Sequence, residues 1–148
     1  MNVKLVKLTE AMLDDVWRIE QVAHTHPWSE SMIRNLNSRG GHHCGLLLDE
    51  TLVGYFYSQN IVGEVTLLTI AIDPQFQGKG FGRQLSELFI TECETLNAES
   101  AWLEVRESNT KAFSLYESIG FNEVTRRHNY YPTANGKEDA LIMSYLFF

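Results

Sequence analysis

A carboxylate, a phenol and a run of alternate glycines are the residues of this sequence with chemistry to offer. Along Ala101-Trp102-Leu103-Glu104-Val105-Arg106 the two-residue period of a strand puts Ala101, Leu103 and Val105 on one face and Trp102, Glu104 and Arg106 on the other. Glu104 thus turns away from the apolar layer. It is either a solvated strand residue paired with Arg106 or, in a crevice at the strand's end, a general base for an amine nucleophile. Asn109, Ala112 and Tyr116 follow at i, i+3 and i+7, on one helical face, with the small Ala112 leaving room for a ligand. Tyr116 either packs its ring on the sheet or donates a proton, since a phenol with an ordinary pKa near 10 can protonate a departing thiolate with an ordinary value near 8.5. Upstream, Gly78, Gly80 and Gly82 stand between an apolar run and a helical stripe. Glycines there let the backbone turn tightly and bring free N–H groups to a helix start, a natural cradle for phosphate.

Other phosphate loops are excluded by spacing. A P-loop needs Gly-Lys-Ser/Thr four residues after its first Gly and a dinucleotide fingerprint needs Gly-x-Gly-x-x-Gly, whereas Gly78-x-Gly80-x-Gly82-Arg83 matches neither. The chain has 148 residues, 44% of them hydrophobic, which is ample for one core, so residues 1–148 are expected to form a single domain. Its 12 basic and 19 acidic residues give a net charge of −7, which argues against nucleic acid and suits a basic partner. Cys44 and Cys93 lie far apart in apolar contexts and read as buried free thiols of a reducing compartment; neither they nor the five histidines show metal-ligand spacing, so no metal is expected. Lys4, Lys7, Asp14 and Asp15 interrupt the first twenty residues, and no apolar run reaches 18 residues. These features predict a soluble, cytoplasmic protein without a signal peptide or membrane span.

The elements that must position these groups can be read in order. Residues 3–8 predict an edge strand, and Thr9 an N-cap for a helix reaching Ala23. His26-Pro27-Trp28-Ser29 breaks the pattern, and Ser29 restarts a helix through Leu36. Trp28 is either a packing anchor at this junction or a wall of an acceptor pocket. The stretch 37–43, with Gly40-Gly41, predicts a mobile loop. Runs at 44–48, 52–59 and 65–72 predict an antiparallel meander whose last strand is buried and central. Leu85, Leu88, Phe89, Cys93 and Leu96 mark a helix, and residues 100–106 a parallel strand reached by a right-handed crossover. A helix over 109–118 stops at Gly120, and a final hairpin pairs 121–131 with 139–146 across a polar tip at 132–136. The result is an α/β layered domain around a mixed sheet.

Two signatures in this order resemble the Gcn5-related N-acetyltransferases: Gln77-x-x-Gly80-x-Gly82, then Asn109-x-x-Ala112-x-x-Leu115-Tyr116-x-x-x-Gly120-Phe121. The resemblance spans essentially the whole chain and implies a mixed sheet flanked by helices, with a splayed pair of parallel strands forming an acetyl-CoA cleft. It implies acetyl-CoA as co-substrate, held at its pantetheine arm by the backbone of Ile70, Ala71 and Ile72. The pyrophosphate would lie on Gln77, Gly78, Lys79, Gly80, Phe81, Gly82 and Arg83, with Asn109 also touching the cofactor and Tyr116 protonating the sulfur. His26-Pro27-Trp28-Ser29-Glu30, Trp102-Leu103-Glu104-Val105 and Asn129-Tyr130-Tyr131-Pro132 with Glu138-Asp139-Ala140 are similar to a bacterial branch that acetylates the N-terminal alanine of a small-subunit ribosomal protein. That similarity makes Glu104 the base and places Trp28, Tyr130 and Tyr131 near the N-terminal segment of the protein substrate. The branch carries two adjacent basic residues before Asn-Tyr-Tyr, where this chain has Arg127-His128. Acetylation of another protein or small-molecule amine, or an idle acyl-CoA-binding sensor, are the alternative readings.

Overall fold

Consecutive apolar, β-rich runs separated by two-residue turns can only pair antiparallel, and they build one half of the sheet. In a computed structural model, which describes residues 2–147, β1 (Val3–Lys7) lies at one edge beside β2 (Gly41–Leu48), followed by β3 (Thr51–Ile61) and β4 (Glu64–Ile72). β5 (Ser100–Arg106), β7 (Gly136–Leu146) and β6 (Asn122–Thr133) complete a seven-stranded sheet of order β1-β2-β3-β4-β5-β7-β6. The mixed sheet flanked by helices is the expected architecture.

Alternation along β3 divides the core in two. Phe56 joins the cluster under α3 (Phe81–Thr95), while Tyr55 and Tyr57 join one under α1 (Leu13–Ala23) and α2 (Glu30–Arg34); Val53, the extra residue where the β2–β3 register shifts, breaks the alternation and joins Phe56. α3 buries Leu85, Phe89 and Cys93 of the expected stripe and adds Phe81 and Ile90, while Leu88 is half-buried and Leu96 is the half-buried C-cap. α4 (Thr110–Ser118) adds Tyr116 and, just after it, Phe121 to the same cluster.

The wedge in the sheet is what matters for a ligand. β4 and β5 run parallel but pair only at Glu64↔Ser100, Val65↔Ala101 and Thr66↔Trp102. Beyond them β4 keeps its partner on β3 and β5 its partner on β7, so the two strands part toward their C-terminal ends. The pairing of β3 with β4 shifts at this point, from Tyr57↔Thr69 to Ser58↔Leu67, leaving Leu68 as an extra residue. A bulge bends its strand and increases local twist, and here it turns β4 away from β5.

Several expectations are corrected. The stretch 37–43 is no free loop: β2 starts at Gly41, His43 is buried, and the Asn60 N–H donates to the Gly40 carbonyl at 2.8 Å. Gly40 sits at φ +69°, and any Cβ there would collide with the Asn60 carbonyl, so the glycine serves a tight approach of two strands. The second helix ends at Arg34, short of Leu36, where Asn35 turns extended, although Ser29 does cap it by accepting from the Met32 N–H. Residues 132 and 133 belong to β6, paired Pro132↔Lys137 and Thr133↔Gly136, so the hairpin tip shrinks to Ala134-Asn135. β6 is an edge strand, where a proline's missing N–H is tolerated. Thr9 precedes a 3₁₀ turn, Glu10–Met12, rather than capping α1 with its side chain.

Candidate active site

The diverging strands open two adjoining cavities. One, of about 450 Å³, is lined on the β5 side by Leu103, Glu104, Val105 and Arg106 and faces Trp28, Tyr116 and Tyr131. The other, of about 480 Å³, runs past Ile70, Ala71 and Ile72 to Gln77, Gly78, Gly80, Gly82 and Arg83. Ala23, His24, Ile70, Asn109 and Ala112 line both, so the cavities meet there.

The second cavity ends on a loop built for an anion. Gly78 (φ +77°) and Gly80 (φ +87°) are left-handed, and a Cβ at either would meet nothing within 4 Å, so both open onto free space. Gly80 is also the N-cap of α3 without a side-chain cap, which leaves the first-turn N–H groups directed at that space. Gln77 Nε2 donates to the Ile72 carbonyl at 2.9 Å and closes the loop on the strand. Arg83 reaches across to donate to Ser118 Oγ at 2.7 Å, tying α3 to α4. Lys79 and Phe81 do not line the cavity: Lys79 Nζ lies 5.7 Å from the Phe76 ring centroid, and Phe81 is buried in the core, leaving only its backbone for a ligand. Asn109 caps α4 by accepting from the Ala112 N–H at 3.2 Å.

Glu104 lines the first cavity together with both of its neighbours on β5. Its partner is Arg127, with Nε 3.4 Å from Oε1, and not the neighbouring Arg106. Arg106 instead donates to the Pro132 carbonyl at 2.8 Å, lies 3.1 Å from His26 Nδ1, and stacks over the Tyr131 ring at 4.4 Å. It fastens the α1–α2 loop to the β6–β7 hairpin. Tyr116 is buried, edge-on to Phe121, and burial pushes its phenol up to about 12, so it is protonated throughout the neutral range. Trp28 packs edge-on against Tyr57 at 5.5 Å and also lines the cavity, so its two readings coexist. Tyr131 lines the cavity, whereas Tyr130 stands outside it, 48% exposed, with Arg127 over its ring.

Sequence reading missed Glu20 and His24. Glu20 is 1% exposed, and its carboxylate accepts from the Tyr55 hydroxyl at 2.6 Å and the Trp28 N–H at 2.9 Å. The signal was present: Glu20 stands four residues after the buried Val16, inside the apolar stripe of α1. Glu20→Ala strands two donors, one of them buried, and is expected to cost about 2–3 kcal/mol. An unchanged urea midpoint would show that the carboxylate does not hold this corner together.

Among the described residues, one group of potential metal ligands gathers, and none of it lines either cavity. His42 Nε2 lies 2.7 Å from Glu92 Oε2 and 3.6 Å from Cys44 Sγ. The imidazole and the carboxylate are hydrogen-bonded to each other, and burial pushes the Cys44 thiol up to about 12. Cys44 and Cys93 are both buried and free.

A cleft between splayed parallel strands, with a glycine loop at a helix start, is the geometry of the Acetyltransferase (GNAT) family. That family's sequence profile matches residues 9–121, and the chain belongs to it. Among characterised relatives it is similar to the [Ribosomal protein bS18]-alanine N-acetyltransferase of Salmonella typhimurium, 47% identical over 93% of each chain. The enzyme of the same name from Escherichia coli is 43% identical over 89% of each chain. The crystal structure of the ribosomal-protein-S18-alanine N-acetyltransferase from Escherichia coli superposes with a TM-score of 0.92 at 40% identity, covering 98% of this chain and 94% of that one.

Proposed function

We propose that this protein transfers the acetyl group of acetyl-CoA to the N-terminal alanine amine of ribosomal protein bS18. The observation that carries the reading is the junction of the two cavities, with Glu104 and Tyr116 on the walls of the acceptor side and the open glycine loop at the far end of the cofactor side. Similarity to alanine N-acetyltransferases at 43–47% identity over most of the chain supports the choice of acceptor.

The fit of acetyl-CoA rests on shape and donors. Gly78 and Gly80 leave the space a pyrophosphate needs, and the unpaired edge of β4 at 70–72 offers backbone groups to an amide-bearing arm. On the acceptor side Glu104 takes a proton from the α-ammonium, directly or through water, and the freed amine attacks the thioester carbonyl. Tyr116 gives its proton to the departing sulfur. Desolvation that lifts the Tyr116 phenol also lifts a thiolate beside it, so the pair stays matched while Tyr116 remains a donor. An α-amine suits an ordinary carboxylate base: near pKa 8 about a tenth is neutral at pH 7, against well under about a thousandth for a lysine near 10.4.

Residues 1–148 act in this reading as one N-acetyltransferase domain, with Trp28 and Tyr131 against the peptide and Tyr130 at its rim. No metal enters the reaction. Among the described residues no helix is long and apolar enough to cross a membrane. In this reading the enzyme works in the cytoplasm on a protein tail, with neither nucleic acid nor membrane as a direct partner. A net charge of −7 draws in a basic protein tail. Turnover on a basic bS18 peptide is therefore expected to fall between low and about 0.5 M salt more steeply than on an uncharged alanine peptide, because exposed charges are largely screened beyond about 10 Å at 0.1 M. The test of the reading is acetylation of an alanine-terminated bS18 peptide, with the same peptide blocked at its α-nitrogen as control; equal acetylation of both would overturn it.

A further inference from the structure

We infer that His24 is a second proton acceptor at the acetyl-transfer point, oriented by the buried Glu20. The inference rests on the acetyltransferase reading above and deepens it. Converting an ammonium to an amide removes two protons from nitrogen: one before attack, and one from the adduct formed when the amine's lone pair has bonded to the carbonyl carbon. Tyr116 supplies the proton for sulfur, and of the two that leave nitrogen one restores Tyr116 and the other goes to solvent. Glu104 holds a single proton at a time, so a second acceptor beside the nitrogen shortens the sequence.

His24 is placed for that task. The acetyl group must lie where the cofactor and acceptor cavities join, and of the five residues lining both, Ala23, His24, Ile70, Asn109 and Ala112, only His24 carries a side-chain nitrogen lone pair that can accept a proton. It follows the last residue of α1, and its side chain is 32% exposed, open to the cleft yet held. Nε2 lies 3.3 Å from Thr69 Oγ1 on β4 and 3.6 Å from Glu20 Oε1 on α1. Thr69 Oγ1 is within hydrogen-bond distance of Nε2 and Glu20 Oε1 lies just beyond it, within ion-pairing reach, so Nε2 is anchored toward β4 and α1 and Nδ1 is the ring nitrogen left to take the acceptor's proton. When Nδ1 takes the proton, the imidazolium lies beside the Glu20 carboxylate, which is already fixed by Tyr55 and Trp28. The other charged or titratable groups around the cavity are Glu104 and Arg106 from β5, Tyr116 from α4, Tyr131 from β6 and His26 from the same loop.

His24→Asn and His24→Gly test this, with rates measured on whichever amine mass spectrometry shows the parent protein to acetylate. Should that amine not be the bS18 terminus, the acceptor assignment fails while the role of His24 is still decided. With acetyl-CoA saturation checked by calorimetry, kcat is expected to fall on the order of 10²-fold and its rise with pH to lose one ionisation. Added imidazole is expected to restore turnover to His24→Gly in proportion to its neutral form, which loss of packing alone would not produce. Glu20→Gln, which keeps the shape of the corner, is expected to shift the same ionisation. A His24→Asn protein with the parent rate and pH profile, or a folded, cofactor-binding His24→Gly protein that imidazole leaves slow, overturns the inference.

Discussion

Glu104→Gln and Tyr116→Phe are each expected to slow turnover by about 10²–10⁴-fold, the usual worth of a positioned proton-transfer group, while acetyl-CoA binds as before. Glu104→Gln keeps the size and the place on β5 but removes the ability to accept a proton. Tyr116→Phe keeps the ring against Phe121 and loses only the oxygen. The loss belongs in kcat, because neither group is needed to hold the cofactor on the glycine loop. The two variants also separate: Glu104→Gln frees Arg127, whose Nε is 3.4 Å from the carboxylate, so KM for a basic peptide should rise as well. Tyr116→Phe should leave KM alone. Parent rates from both variants would move the base and the acid elsewhere.

The second large effect is at Gly80. Gly80→Asp directs a carboxylate from the N-cap of α3 into the space that the loop keeps open. Two unit charges about 4 Å apart repel by about 4 kcal/mol at an effective dielectric of 20, or about 10³-fold in affinity. Backbone strain is a separate cost, since Gly80 lies at φ +87° and a left-handed residue other than glycine loses about 1–2 kcal/mol. Gly80→Asn is the control: asparagine tolerates that backbone and carries no charge, so it should bind acetyl-CoA far better than the aspartate. Calorimetry on folded protein separates the two, and equal affinities for the aspartate variant and the parent would remove the pyrophosphate from this loop.

How much of this was legible in the sequence depends on how local each feature is. The place of Glu104 on the face of β5 opposite Ala101, Leu103 and Val105 follows from a two-residue period over residues 101–106, and the stripe of α3 from a helical one; both are local. The separation of β4 from β5 is not local. It depends on the extra Leu68 in the pairing with β3, and nothing in the composition of 65–72 announces a bulge. Gly40-Gly41 misled because glycine pairs mark loops as readily as they mark close strand approaches, and only Asn60, far along the chain, distinguishes the two. Glu20 was hidden by its type: an acid in a helical stripe reads as surface until Tyr55 and the Trp28 N–H are seen to need it. His42 and Glu92 meet across a separation of 50 residues, beyond any spacing rule for ligands.

Intact-mass and fragment analysis of bS18 incubated with this protein and acetyl-CoA tests the central claim most directly. One added acetyl group, located by fragmentation on the nitrogen of the N-terminal alanine, absent when that nitrogen is blocked beforehand and absent with Glu104→Gln over the same interval, is the expected result. Acetyl groups on lysine side chains with the free alanine terminus untouched would contradict the account.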